Sequence, residues 1–374
     1  MIARPHFSTM KRRDVLLGAA AITVGGAGAA FLGLRQMGSM DAFDAAVAAS
    51  RSALSEAPET RDLVRFATLA ANSHNTQAWR FNRVGEHIEI RPDLSRRLAA
   101  VDPDDHHLYV SLGCAAENLS IAAGARGQAG ELSFDPQQDG VVRFAFGKGP
   151  QPPSGLFEAI TRRQSTRGDY DGRPVSTKDL QVLGAAAATV PGVDLILITD
   201  RPQIDRVRDL VVAGNSAQIA DPAFMRELKA WLRFSPRQAM QTGDGLFSAT
   251  SGNPVLPAWL GPLAIDALFT AGKENDKYAR QIASSAGIAV FCAEKDDPEH
   301  WVLVGRACQR FALQATALGL KHAFINQPVE VPALRPDLAR LVGLPGRRPD
   351  IVMRFGYGPA LPFSARRPVA AVLA

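Results

Sequence analysis

Residues 41–72 show the spacing of an amphipathic helix. Apolar side chains recur three and four positions apart, as at Leu63, Phe66 and Ala70, after a break near Pro58. Residues at these spacings lie on one face of an α-helix and can pack together on a core. The pattern therefore predicts helix, interrupted at the proline.

The rest of the chain mixes helical and strand patterns without strict alternation. Stretches with an apolar stripe predict helices, and short apolar or alternating runs predict strands. These elements are a hairpin over Arg80–Arg91, helices over Val110–Ala125, Leu156–Arg163, Ile204–Gln218 and Trp301–Leu318, and strands over Val193–Thr199, Ala286–Ala293 and Ile351–Tyr357. Because helices and strands do not alternate regularly, the sequence predicts an α+β fold rather than a doubly wound sheet.

Two segments rich in Pro and Gly interrupt these patterns. Pro136–Pro153 is interpreted as a seam between a smaller half, residues 41–150, and a larger half, residues 151–374. Asp221–Ala271 fits neither period, although it carries several aromatic residues. Long apolar irregular segments usually cover something. The segment, about residues 221–271, is either an insertion packed on the surface or a lid over a site.

Composition narrows the class of protein. The chain has 374 residues, of which 46% are hydrophobic and 21% charged, and these values are typical of a soluble globular protein. Most of the net charge of +5 comes from residues 1–40, so a basic nucleic-acid surface is not predicted. The three cysteines form no CxxC pair and are predicted to be buried, inert thiols. No metal-binding motif is recognised.

Residues 1–40 have the pattern of a targeting segment. Arg12-Arg13 precedes Val15–Leu34, a stretch without charge that is dominated by Ala and Gly. This pattern resembles a twin-arginine export signal, which would place the protein in the periplasm or cell envelope as a partner of that export machinery. An uncleaved N-terminal anchor is the alternative. The twin-arginine route carries proteins that have already folded, often around a cofactor, so a cofactor is expected.

Two short motifs carry candidate chemistry. Arg163, Ser165 and Arg167 follow one another at the end of a predicted helix, and guanidinium groups are suited to bidentate contacts with phosphate. Closely spaced arginines can equally form a solvated face. Ser73-His74-Asn75-Thr76-Gln77-Ala78-Trp79 offers carboxamides that both donate and accept hydrogen bonds. A polar loop that caps a helix is the alternative interpretation of this second motif.

Both motifs resemble those of nitroreductases. The resemblance implies that Arg163, Ser165 and Arg167 bind the phosphate and ribityl chain of FMN, joined by Arg366 near the C-terminus. It also implies that Ser73, Asn75 and Gln77 contact the flavin ring, although Ala78 stands where the family has proline. His74 lies inside this motif and is either functional or an ordinary polar contact. His106 and His107 are predicted to be surface or capping histidines.

The order of the motifs implies an internal pseudo-dimer. In nitroreductases the Ser/Asn/Gln motif follows the arginine helix and reaches the flavin of the neighbouring subunit, whereas here it precedes that helix. The resemblance thus implies a tandem, single-chain nitroreductase-like fold with two unequal halves and one flavin site, acting as a monomer.

The implied reaction is hydride transfer through flavin N5 to a nitroaromatic, quinone or similar acceptor, with a small-molecule reductant. Around Phe324-Ile325-Asn326-Gln327 the sequence departs from the family's Glu-Gly pattern. A protein that binds and sequesters FMN without turnover is therefore the alternative.

Overall fold

A computed structural model of the protein describes residues 37–137, 139–147 and 155–374. The candidate export signal lies outside these residues. Across the described ranges, none of the helices combines the length and the apolar character needed to span a bilayer.

The regular elements are numbered here in chain order. The helices are α1 (Met40–Ser50), α2 (Thr60–Thr68), α3 (His106–Gly124), α4 (Phe157–Ile160), α5 (Thr177–Ala188), α6 (Arg201–Ala220), α7 (Pro222–Trp231), α8 (Pro236–Thr242), α9 (Gly261–Leu268), α10 (Ala271–Ala283), α11 (Pro298–Ala317), α12 (Gln327–Glu330) and α13 (Arg335–Leu341). The strands are β1 (Trp79–Val84), β2 (His87–Pro92), β3 (Gly130–Asp135), β4 (Val141–Phe146), β5 (Val193–Ile198), β6 (Leu232–Arg233), β7 (Leu246–Phe247), β8 (Gly287–Ala293), β9 (Lys321–Phe324) and β10 (Ile351–Gly356).

The smaller half contains a four-stranded antiparallel sheet in the order β1-β2-β4-β3. Gly85 lies at the β1–β2 turn with φ 53°, a left-handed conformation that glycine adopts without strain. The end of the chain returns to this sheet: Phe81 N donates to Val372 O at 2.7 Å, and Ala374 N donates to Phe81 O at 2.8 Å. The C-terminal tail is thereby fastened to the opposite half.

The larger half contains a second antiparallel sheet in the order β5-β8-β10-β9. Strands β8 and β10 are buried along their whole length because helices cover both faces. Ala289 and Phe291 of β8 pack into a core shared with α11, whereas Ile288 and Val290 pack with residues of α6 on the other face. Because successive side chains of a strand point to opposite faces, β8 contributes residues to two hydrophobic clusters.

Helices α3 and α11 join the two halves back to back. A Cβ placed on Gly113 would overlap the carbonyl oxygen of Val302, and one on Gly305 would overlap that of Val110, so glycine permits the close approach. Glu117 of α3 forms ion pairs with two arginines of α11. One hydrophobic core therefore runs through both halves. The predicted α+β fold with two unequal halves is confirmed.

Two segments rich in Pro and Gly are more regular than their sequences indicate, while the boundary between the halves stays a prediction. The Pro136–Pro153 seam contains β4, which pairs with both β2 and β3. The segment Asp221–Ala271 is largely helical, since α7, α8 and α9 lie within it. A proline occupies the first turn of each of these three helices, where its missing N–H and fixed φ cost nothing. In the sequence the same prolines resemble breaks in structure.

Candidate functional site

A cavity of about 250 Å³ lies between the two halves. The smaller half contributes Ser73 and His74 to its wall, together with residues of α3. The larger half contributes Arg167, Tyr278 of α10 and residues of α6, α12 and β9. The cavity therefore brings the Ser73 loop and part of the arginine motif together, although the two are far apart in sequence.

The Ser73–Gln77 loop is locally strained. His74, Asn75 and Gln77 all have positive φ, at 45°, 54° and 53°. Non-glycine residues rarely adopt this region, and such residues persist only where the surrounding structure holds them. Ser73 N donates to Ser111 Oγ at 3.3 Å, and Gln77 N donates to Asn72 Oδ1 at 2.9 Å. The loop is thus held against α3.

The carboxamides of this loop hold the Asp221–Ala271 segment and the C-terminal tail rather than line the cavity. Asn75 Nδ2 donates to Gly245 O and to Ala365 O, each at 3.1 Å. Gln77 Nε2 donates to Gly243 O at 2.8 Å, and Arg367 N donates to Gln77 Oε1 at 2.9 Å. Both side chains are buried. Asn75 and Gln77 therefore fix the relative positions of three chain segments around the site.

Within this loop, His74 is the residue whose imidazole ring lines the cavity. Burial, together with the positive charge of Arg167, lowers the pKa of His74 to about 4. Its Nδ1 atom is buried and has no hydrogen-bond partner among the described residues. The ring is therefore neutral and has one nitrogen free for a ligand.

Arg167 lines the cavity without a counter-ion. Its guanidinium forms no hydrogen bond or ion pair with any residue in the described part of the chain. Burial lowers its pKa, while Tyr278 and Tyr170 partly oppose that effect. Lys277 adds a second cation to the wall, where it pairs with Glu274 at 4.0 Å and donates to Asn253 Oδ1 at 3.2 Å, so Arg167 is the cation without a partner among the described residues. This side of the cavity is suited to an anion.

Arg163 and Arg366 lie behind the wall, at the C-terminal end of α2. Arg366 Nε donates to Thr68 O at 2.6 Å, and Arg163 Nη2 donates to Leu69 O at 3.0 Å. Cations are favourable at a helix C-terminus. Burial lowers the pKa of Arg163 to about 10, and burial together with Arg163 lowers that of Arg366 to about 9. Arg163 Nε and Nη1 remain buried without partners among the described residues.

Arg366 connects the two motifs directly. Its Nη1 atom donates to Asn75 Oδ1 at 2.9 Å. Ser165 is not part of the wall; its backbone instead forms an isolated bridge with His322, beside β9. Of the eight residues predicted from the sequence, the cavity wall contains Ser73, His74 and Arg167. The other five surround that wall and hold it in place.

An acidic corner of the cavity contains Glu330 and His107. The prediction that His106 and His107 lie on the surface is wrong, since they are 1% and 4% exposed. His106 Nε2 lies 2.8 Å from Asp350 Oδ1, and burial raises the pKa of Asp350 to about 7. Burial lowers the pKa of both histidines. They are therefore neutral parts of a buried polar network.

The Asp221–Ala271 segment forms one side of the cavity. Phe234 and Phe247 from this segment contribute flat apolar surface to the wall, as do Phe224 and Phe269. Aromatic side chains favour stacked or edge-on contacts with planar rings. The segment therefore makes this side of the cavity suitable for an aromatic ligand.

Several residues of the wall were not found by sequence reasoning. Lys277 and Tyr278 lie on α10, and Glu330 lies on α12. No local motif marks these positions, because tertiary packing alone brings their helices to the cavity.

The chain is similar to proteins of known family. Residues 160–358 match the family model that is described as the nitroreductase family. Two relatives in Mycobacterium tuberculosis, from strains CDC 1551 / Oshkosh and ATCC 25618 / H37Rv, are named as NAD(P)H nitroreductases. Each is 27% identical over 339 residues, which cover 87% of this chain and 94% of the relative.

Solved structures give weaker similarity. A nitroreductase with bound FMN from Desulfitobacterium hafniense DCB-2 has a TM-score of 0.37 and 16% identity, covering 57% of this chain and 93% of that chain. The FMN-dependent nitroreductase NfnB from Mycobacterium smegmatis, in complex with NADPH, has a TM-score of 0.36 and 12% identity, covering 54% of this chain and 86% of that chain.

Proposed function

The chain belongs to the nitroreductase family, and from this premise we propose that it binds one FMN between its two halves and acts as an FMN-dependent oxidoreductase. The observation that carries the proposal is the shared cavity, which joins the Ser73-His74 loop of one half to Arg167 of the other. Two motifs that the family uses for one cofactor thus lie around one space.

The residues present are suited to a phosphorylated flavin. Arg167 has no counter-ion among the described residues, and Arg163 has two buried nitrogens without partners. A dianionic phosphate would satisfy such groups well, because guanidinium donors form strong charge-assisted hydrogen bonds with it. We assign the phosphate side to Arg167, with Arg163 and Arg366 behind it. Ser73 and His74 face the ring side.

Asn75, Gln77 and Ser165 act as positioning residues in this proposal. Their hydrogen bonds and backbone pairing fix the lid, the tail and the arginine motif relative to one another. Such a rigid surrounding keeps the polar groups that contact a ligand in place. The tandem arrangement places this whole framework in one chain, so a monomer is sufficient for function.

The cofactor, when bound, would supply hydride exchange between a nicotinamide donor and an acceptor. The Asp221–Ala271 segment forms one side of the cavity, and its phenylalanines provide a flat apolar surface for a planar acceptor. A nitroaromatic or quinone has this shape. The names of the mycobacterial relatives support NADH or NADPH as the donor.

Anaerobic mixing of the purified flavin-bound protein with NADH or NADPH tests this function. We expect the flavin absorbance to bleach promptly and to return when a quinone is added. A protein that stays yellow in both mixtures would instead sequester FMN beneath the lid. A colourless protein whose melting temperature does not rise with added FMN would exclude both functions.

We also propose export of the folded protein by the twin-arginine route. Support comes from Arg12-Arg13 followed by an uncharged stretch. Replacing both residues, Arg12→Lys with Arg13→Lys, is expected to keep the protein in the cytoplasmic fraction of its host. Equal amounts outside the cytoplasm before and after the change would contradict this localisation.

A further inference from the structure

The acidic corner of the cavity holds a carboxyl group that the proposed function does not yet use. Glu330 ends α12 and lines the cavity beside His107. Glu330 Oε1 lies 3.7 Å from His107 Nδ1, and Gln218 Nε2 donates to Glu330 Oε2 at 2.6 Å. The carboxyl is thus held from two sides, by α3 and α6, while it still faces the cavity.

The groups around Glu330 do not supply a permanent positive charge. Across the described residues, its one ion-pair contact is His107, whose pKa is lowered by burial. Asp102 faces it with negative charge, and the Tyr278 hydroxyl faces it from α10. The Nε atom of Arg335 donates to the carbonyl of Val329 rather than to the Glu330 carboxyl.

These surroundings favour the neutral acid. Burial is the largest cause that raises the pKa of Glu330, and the negative charge of Asp102 adds to it. His107 and the hydrogen bond from Gln218 oppose this effect without reversing it. A carboxyl in a cavity whose pKa is raised keeps its proton to a higher pH than an exposed one, and this property suits it to general acid catalysis.

We propose that Glu330 is the proton donor to the acceptor bound in this cavity, an inference that rests on the proposed function. A quinone that receives a hydride carries one negative charge on oxygen. The O–H bond of Glu330 breaks, its proton joins that oxygen, and the bonding electron pair stays on the Glu330 carboxylate. Quinone, hydride and proton together give the hydroquinone. A hydronium ion from the solvent then returns a proton to the Glu330 carboxylate and leaves as water.

Glu330→Gln tests this role, because the amide keeps the size of the side chain but cannot donate an acidic proton. Glu299→Gln, at an exposed position of α11, is the matched control. In the wild type, quinone reduction by the pre-reduced protein should slow as pH rises through the Glu330 pKa. Glu330→Gln should be about 100-fold slower at acid pH and independent of pH, and should converge with the wild type at alkaline pH.

Ferricyanide separates proton donation from a structural effect. Ferricyanide accepts electrons without a proton. It should therefore oxidise the reduced Glu330→Gln variant at the wild-type rate. Glu330→Asp should restore a pH-dependent quinone rate. Infrared difference spectra provide a readout that does not depend on turnover. The wild type should show a carboxylic acid band. Glu330→Gln should lack this band, and Glu299→Gln should retain it.

Two failures can be told apart. A wild-type protein that binds no FMN would overturn the proposed function itself. If FMN binds and NADPH reduces it, but Glu330→Gln keeps the wild-type quinone rate and pH profile, the proton-donor role is wrong. Loss of the ferricyanide rate together with the quinone rate would also overturn it, because the residue would then be structural.

Discussion

Three side chains decide the character of the cavity, and each is set by its immediate surroundings. His74 is held at positive φ and kept neutral, at a conformational cost of about 1–3 kcal/mol that the bonds of its loop offset. Arg167 is held in the wall without a counter-ion among the described residues, and burial raises the pKa of Glu330. The cavity thus has a cationic side and an acidic corner.

His74 should make folding stability depend on pH. Its folded pKa of about 4 lies below the unfolded value of 6.5, so the unfolded chain binds more protons between these values. The stability that the neutral ring contributes is present above about pH 6.5 and is lost as pH falls towards 4. Relative to His74→Asn, the wild type should lose on the order of 2–3 kcal/mol over this window. Urea unfolding at several pH values measures it, and parallel curves would refute it.

Arg167→Ala should abolish flavin retention while leaving the fold intact. The guanidinium forms no hydrogen bond or ion pair among the described residues, so its removal leaves no buried polar partner unsatisfied there. Arg162→Ala is the control, since Arg162 is exposed and donates only to the carbonyl of Glu158 four residues earlier. FMN titration followed by flavin fluorescence compares them. The prediction would be contradicted if Arg167→Ala kept the wild-type affinity for FMN while Arg162→Ala lost it.

Among the individual residues of the site, the sequence predicted only those that lie within short motifs. Ser73, His74 and Arg167 could be predicted because family motifs contain them. Glu330 and Tyr278 could not, because their approach to the cavity depends on how α10 and α12 pack. His106 and His107 were misplaced because a pair of polar residues before an Ala-rich helix is usually exposed.

Among the elements, α3 and α11 matter most for the site. They join the halves, and α3 also provides Ser111 and His107 on the cavity side. Their close approach depends on Gly113 and Gly305 rather than on large apolar residues. The elements that shape the cavity are therefore held by a tight contact between helix backbones.

Gly305→Ala should destabilise the protein by about 1–3 kcal/mol, because the added methyl overlaps the Val110 carbonyl and pushes α3 and α11 apart. Gly184→Ala in α5 is the matched control, since a Cβ there meets nothing within 4 Å. That change should be neutral or stabilising by up to about 1 kcal/mol. Urea denaturation measures both, and equal effects would argue against the tight contact.

The lid should respond to the cofactor. Trp259, Leu263 and Leu268 lie 59%, 59% and 60% exposed on and beside α9, so chymotrypsin can reach this part of the segment. Local unfolding must precede cleavage within a helix. If FMN packs beneath the lid, bound FMN should slow cleavage here. Identical cleavage rates with and without FMN would show that the segment is a surface insertion.

Elements with a clear period were predicted well, and those without one were not. The β1–β2 hairpin and strands β5, β8 and β10 follow alternating or continuous apolar patterns, and the structure places them where the sequence does. The lid helices are short and begin with proline, so their sequences contain more turn signals than helical repeats. The helix predicted over Leu156–Arg163 shrinks to α4 because the chain turns away to pair Ser165 with His322.

In the whole molecule, two unequal halves share one core and enclose one cavity. The smaller half lends the Ser73 loop, and the larger half supplies the arginine motif, the lid and most of the wall. The C-terminal tail returns to β1 and carries Arg366 to Asn75, so both halves are fastened around the same space. This asymmetry predicts a single cofactor for each chain.

The spectrum and mass of the ligand released when the purified full-length protein is denatured test this account most directly. We expect the protein to release one FMN for each chain, identified by its flavin absorbance and its mass. Release of no flavin, from a protein that also fails to take up added FMN, would contradict it.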